Sequence, residues 1–270
     1  MSDLEVPGAT LYYEAYGSGP LLLIVPASSG AADSYRPLAE LLAPHFTAVV
    51  FDRRGFSRSY LRGPQDYERR IETDADDVRR LAEHLGDGRA SLFGNSSGGL
   101  VALATLTRHP EHVDAVVVHE PPVMTAWSGG GAWIERFHAL YDRYRAVGPH
   151  PTVGEFQRQT FAASDVATMA AVMNPAKDPY VVGNATYWLE RELRQYPAAT
   201  FDLEALTARA ADLFLLNGED SRGCPCYDAT AALGERTGGR VIEMAGGHTA
   251  HLAHAPQLAE VVRTCLTEPR

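Results

Sequence analysis

The stretch Leu92-Phe93-Gly94-Asn95-Ser96-Ser97-Gly98-Gly99 sets two adjacent serines among three glycines. The apolar Ser91-Leu92-Phe93 leads into Gly94, and the small and aliphatic Leu100-Val101-Ala102-Leu103-Ala104 follows Gly99. A strand, a sharp turn and a helix are therefore expected in that order. Gly94-x-Ser96-x-Gly98 in such a setting fits a nucleophile elbow, in which the central residue occupies a strained turn. Small residues two before and two after it let strand and helix approach closely. Counting from Ser97 instead would put Asn95 at the first of those positions, so Ser96 is the candidate nucleophile. Ser97, at the helix start, offers a backbone N–H to a developing oxyanion. A bare G-x-S-x-G arises often by chance, and the strand–turn–helix context is what gives it meaning.

Short apolar runs alternate with helical periodicity outward from this turn, which reads as an α/β fold with a mainly parallel sheet. Strands are expected near Leu11–Glu14, Leu21–Val25, Ala48–Phe51, Ser91–Gly94, Ala115–His119, Leu213–Leu216 and Val241–Met244. Helices are expected at Tyr35–Leu42, Ile71–Leu85 and Leu100–His109, the last closed by Pro110. From Pro121 to about Ala208 the rhythm changes to amphipathic helices, with Trp133, Phe137 and Tyr141 at i, i+4 and i+8. The expected organisation is a core of residues 1–120 and 209–270, with residues 121–208 inserted as a helical cap. Such an insertion would cover the carboxyl edge of the sheet, where open α/β sheets place ligands.

A serine hydroxyl needs a base to take its proton. His248, after the strand Val241–Met244 and the turn Ala245-Gly246-Gly247, is the candidate. His251 and His254 continue at a spacing of three, but no carboxylate accompanies them, so no metal site is expected. A carboxylate must orient the base, and two compete. Glu120 ends the run Val116-Val117-Val118-His119, where a buried carboxylate demands a partner, and Pro121-Pro122 stiffen the turn behind it. Asp220 lies in the turn after the penultimate strand among Glu219, Ser221 and Arg222, and reads as a solvated turn. Burial favours Glu120, with Asp220 the alternative. A second oxyanion donor is expected from Pro26-Ala27-Ser28-Ser29-Gly30, at the N–H of Ser28 or else of Ala27.

The 270 residues, 45% of them hydrophobic, suffice for one substantial core. A net charge of -10 argues against nucleic acid or an anionic membrane surface as partner. The longest clean apolar run, Leu21–Val25, falls far short of the roughly 20 residues of a membrane span. No basic start followed by an apolar run marks a signal peptide, and three cysteines cannot all pair, so a reduced, cytoplasmic protein is expected. No cofactor is implied. The expected partner is a small-molecule substrate; the oligomeric state stays open, a homodimer being one option.

With these residues assembled, the chain resembles the α/β-hydrolase superfamily over nearly its whole length. The matching marks are Gly94-Asn95-Ser96-Ser97-Gly98, then Phe51-Asp52-Arg53-Arg54-Gly55-Phe56-Ser57-Arg58-Ser59, and the late Gly247-His248. Within that superfamily it looks most like the fungal zearalenone lactonases and related actinobacterial hydrolases, on Val25-Pro26, Ser96-Ser97-Gly98 and His119-Glu120-Pro121-Pro122. That resemblance implies Ser96, Glu120 and His248 as a triad, and Trp188 as the match to a substrate-touching lid tryptophan. The expected activity is hydrolysis of an ester or lactone through an acyl-enzyme. The aromatic lid residues Trp127, Trp133 and Trp188 suggest an apolar, polyketide-like substrate, or equally the lid's own packing. Cofactor-free decarboxylase, lyase or isomerase chemistry and a small-molecule receptor are the rival readings.

Overall fold

The computed structural model describes residues 2–268. Eight strands form one sheet: β1 (Ser2–Val6), β2 (Ala9–Tyr16), β3 (Leu21–Val25), β4 (Thr47–Phe51), β5 (Ala90–Asn95), β6 (Val113–His119), β7 (Leu213–Gly218) and β8 (Arg240–Met244). Their spatial order is β1-β2-β4-β3-β5-β6-β7-β8. β1 and β2 pair antiparallel, β2 joins β4 antiparallel, and every pairing from β4 to β8 is parallel. The sequence does not announce β1 with an apolar run, because it is an edge strand whose residues are mostly exposed.

The central strands read as unbroken apolar runs because both faces are covered. Leu22 and Ile24 of β3 point to one face and pack with Leu38 and Leu42 of α1 (Arg36–Leu42) and with helix residues Leu258 and Val262. Leu23 and Val25 point to the other, toward Val78 and Leu81 of α2 (Arg70–Leu85) and Leu100 and Leu103 of α3 (Ser97–Arg108). This alternation is the period of two that a strand imposes.

Between β6 and β7 the described residues form helices and turns: α4 (Gly130–Val147), α5 (Pro149–Thr160), α6 (Ala163–Val172), α7 (Val181–Arg191) and α8 (Leu203–Ala208). Phe137, Leu140, Trp188 and Leu189 make a separate apolar cluster with Phe56, Met124 and Cys226. Leu193 stays in that cluster, whereas Tyr196 and Leu206 join the sheet-face core, so the segment from Tyr196 onward packs on the sheet. The chain finishes with α9 (Pro225–Thr237), α10 (Ala250–Ala253) and α11 (Ala255–Thr267). Among the described residues no helix is long and apolar enough to cross a membrane.

A buried ion network ties the inserted helices to the sheet. Glu192, just past α7, accepts from Arg53 Nη1 at 2.8 Å and Nη2 at 2.9 Å. Asp74 accepts from Arg53 Nη1 at 3.0 Å and from the Tyr196 hydroxyl at 2.7 Å, and also pairs with Arg70. All of these groups are buried, so removing one partner would strand a desolvated charge.

Candidate active site

Ser96 ends β5 and opens α3 with φ 52° and ψ -120°. Only three non-glycine residues in the described chain have positive φ: Ser57, Ser96 and Glu120. Such strain persists where the surroundings over-determine it, and it concentrates at working sites. The glycines show what holds the turn. A Cβ on Gly94 would stand 2.5 Å from Gly98 O, and one on Gly98 would stand 2.1 Å from Val25 O. Neither strand could approach the turn with a side chain there. Ser96 N–H donates to His119 O at 2.9 Å, which fastens the elbow beside the end of β6.

His119 pairs with Asn95 across the β5–β6 ladder, so the next residue, Glu120, lies alongside Ser96. Glu120 has φ 47° and is fully buried. Its Oε2 accepts from His248 Nδ1 at 2.7 Å and its Oε1 from Gly218 N–H at 2.9 Å. Burial alone would raise the Glu120 pKa; the His248 hydrogen bond, the neighbouring imidazoles and the Gly218 amide outweigh it and bring the group down to about 2. The carboxylate is thus ionised throughout the neutral range and fixes the proton on His248 Nδ1. Asp220 is exposed, and its backbone N–H donates to Gly246 O at 3.0 Å. The carboxylate against the His248 ring is that of Glu120, because the end of β6 is buried under the loop after β8 while the turn after β7 faces solvent.

The loop after β3 is held by the Asp52-Arg53 segment. Ala27 O accepts from Arg53 Nη2 at 2.8 Å and from Gly30 N–H at 2.9 Å. A trans peptide points its N–H opposite to its carbonyl, so the Ser28 N–H faces away from Arg53. Ser28 lines the same small cavity as Ser96 and Ser97. The Ala27 N–H is engaged elsewhere, by the Tyr35 hydroxyl at 3.2 Å. Of Ala27 and Ser28, it is Ser28 whose amide is directed away from the buttress.

Several residues at the site gave no sign in the sequence. Tyr35 donates to Asn95 Oδ1 at 2.9 Å, and Asn95 Nδ2 reaches His119 Nδ1 at 3.2 Å and His248 O at 3.4 Å. Asn95 thereby links the loop after β3 to the loop that carries His248. Asp165 of α6 is buried and accepts from His248 N–H at 3.0 Å, Thr249 N–H at 2.8 Å and Thr249 Oγ1 at 2.6 Å. A Cβ on Gly247 would meet that carboxylate at 2.4 Å, so glycine there makes room for the clamp. Phe161 stacks on the His248 ring at 4.3 Å between centroids. His119 and His251 are both buried, and burial holds their pKa values down, to about 4 and about 3. His251 stacks on Tyr35 at 4.3 Å, which accounts for it as packing.

A cavity of about 420 Å³ opens beside His248 and Ser28, walled largely by apolar side chains including Phe156, Phe161, Met173 and Trp188. Trp188 also lines the small cavity at Ser96. Trp127 and Trp133 line neither cavity. Both are half-buried against the Phe137 cluster: Trp133, on α4 one turn before Phe137, lies 6.0 Å from its ring, and Trp127 packs there from the turn ahead of α4.

A strained serine elbow, a buried carboxylate–imidazole pair and this sheet order define an α/β hydrolase. Residues 20–215 match the profile of the alpha/beta hydrolase fold family, and the chain belongs to that family. It is 29% identical over 271 residues to the uncharacterized hydrolase YraK of Bacillus subtilis, covering 99% of this chain and 96% of that one. Its fold is similar to the enol-lactonase from Burkholderia xenovorans LB400, with a TM-score of 0.73, 20% identity, and 99% and 100% of the two chains covered. It is likewise similar to a thermophilic esterase from Thermogutta terrifontis, with a TM-score of 0.75, 21% identity and 98% of each chain covered.

Proposed function

We propose that this chain is a serine hydrolase that cleaves an ester or lactone of a largely apolar small molecule through an acyl-enzyme. The observation that carries the reading is the 2.7 Å bond from His248 Nδ1 to buried Glu120, set beside a serine in a strained elbow. With its proton fixed on Nδ1, His248 presents Nε2 as the acceptor for the Ser96 hydroxyl proton. Ser96 Oγ attacks the carbonyl carbon, and the amides of Ser28 and Ser97 receive the oxyanion. His248 then protonates the departing alcohol, and a water molecule deprotonated by the same ring releases the acid. Glu120 stays ionised and stabilises the imidazolium in both halves. The helices inserted between β6 and β7 act as a lid, with Trp188 the aromatic side chain facing substrate.

The lactone option draws on the likeness of His119-Glu120-Pro121-Pro122 to zearalenone lactonases, and the ester option on the apolar cavity with no acid-binding cation in its wall. Hydrolysis of p-nitrophenyl acetate by the wild type, lost in Ser96→Ala with the fold retained, is the expected outcome. Undiminished turnover in Ser96→Ala would refute the assignment. Tight binding of small molecules without turnover of any ester would favour a receptor.

A further inference from the structure

Two unequal chambers, one at Ser96 and one at His248, share Ser28, Phe156, Phe161 and Trp188 as walls. The small one, about 20 Å³, is lined by Ser96, Ser97, Pro122, Thr160, Leu193 and Cys226. The large one, about 420 Å³, is lined by His248 and Thr249 with Met169, Met173, Val181 and Leu252. One water needs roughly 10–15 Å³ of such space, so the small chamber admits a methyl-sized group and little more. The large chamber is of the size that takes a drug-like molecule.

The chemistry decides which half of an ester goes where. The base must reach the oxygen that leaves, so the alcohol lies on the His248 side. The oxyanion occupies the Ser28 and Ser97 amides, and the acyl substituent takes the remaining direction, beside the serine. Neither chamber has a lysine or arginine in its lining. The acids in those walls are already bonded: Asp33 to Arg36 and Arg58, Glu192 to Arg53, and Asp178 to the Tyr180 N–H. An anionic group on the alcohol would enter an apolar chamber with no counter-charge, at a desolvation cost that disfavours it.

Resting on the serine-hydrolase reading and narrowing its substrate, we infer that the protein cleaves short-acid esters, acetates foremost, of bulky uncharged apolar alcohols. Ser96 Oγ bonds to the acyl carbon as the alcohol oxygen leaves with the proton from His248. Water then adds its hydroxyl to that carbon, its proton passes through His248 back to Ser96, and the products are a short acid and a large alcohol.

Two isomeric esters with the bond reversed provide the test: 2-phenylethyl acetate and methyl 3-phenylpropanoate. Both release alkyl alcohols, so intrinsic reactivity does not separate them. The acetate is expected to give at least roughly tenfold higher kcat/KM, the scale of one or more misfitted methylenes. Along the 2-phenylethyl series, acetate should exceed butanoate and butanoate exceed hexanoate, and Leu193→Ala should move the optimum toward butanoate. Preference for methyl 3-phenylpropanoate, or hexanoate outrunning acetate, would overturn the inference while leaving the hydrolase intact. Failure on both isomers with p-nitrophenyl acetate still cleaved would do the same. Failure on every ester, with no covalent labelling of Ser96, would remove the hydrolase reading as well.

Discussion

Glu120→Gln isolates the carboxylate–imidazole bond with almost no change in shape. In the wild type, Oε1 takes the Gly218 N–H at 2.9 Å and Oε2 takes the His248 Nδ1–H at 2.7 Å. A glutamine has one acceptor oxygen for these two donors. With its oxygen kept on the fixed Gly218 amide, the NH₂ faces His248 Nδ1 and forces that nitrogen to accept. The ring's proton then moves to Nε2, the atom that has to receive the serine proton. The analogous loss of tautomer in the serine-protease triad costs about 10⁴ in kcat, or roughly 5.4 kcal/mol of barrier at 1.36 kcal/mol per decade. Initial rates with p-nitrophenyl acetate should therefore fall about four decades in Glu120→Gln while Asp220→Asn stays near wild type, with circular dichroism confirming that both fold. If Asp220→Asn collapsed activity and Glu120→Gln retained it within tenfold, the assignment of the orienting acid would be wrong.

Three further outcomes follow from the geometry. Gly98→Ala would place a methyl 2.1 Å from Val25 O, so a loss of about 1–3 kcal/mol in urea melts and a large drop in kcat are expected; wild-type behaviour would contradict the packing of the elbow. Asp165→Asn removes the charge that gathers three donors on the His248 loop, and should cost about 2 kcal/mol and lower kcat more than it raises KM. An unchanged kcat would show that the clamp does not position the base. The histidines His119 and His251 have folded pKa values of about 4 and about 3, below an unfolded value near 6.5, so the unfolded chain binds protons first. Stability should be full above pH 6.5 and fall as the pH drops toward those folded values, by roughly 2 kcal/mol per histidine at pH 5. Glu120, at about 2 in the fold against 4.5, adds to the loss below pH 4.5. Flat denaturation midpoints from pH 7.5 to 5 would refute the burial of neutral imidazoles.

What the sequence displays is what local physics writes into neighbouring residues. The elbow is legible because both glycines lie within one short strand–turn–helix stretch, Gly94 making room for Gly98 O and Gly98 for Val25 O of the neighbouring β3. Glu120 is legible because a carboxylate at the end of a buried valine run must find a partner, although the run does not say that the partner is His248. The central parallel strands declare themselves as apolar runs covered on both faces, whereas edge strand β1 carries no such run. Asp165, Tyr35 and Arg53 stayed hidden because their roles come from contacts with residues far along the chain, such as Asp165 with the His248 loop. Trp127 and Trp133 show the converse: a lid aromatic is equally suited to a ligand or to its neighbours in the lid, and here the Phe137 cluster takes both.

In the proposed mechanism Ser96 is the nucleophile, and covalent trapping reads that role directly. A fluorophosphonate incubated with the wild type should add one adduct to the intact mass, mapped to Ser96, and should add none to Ser96→Ala. An adduct on another side chain, or no adduct in a preparation that still turns over esters, would contradict the account.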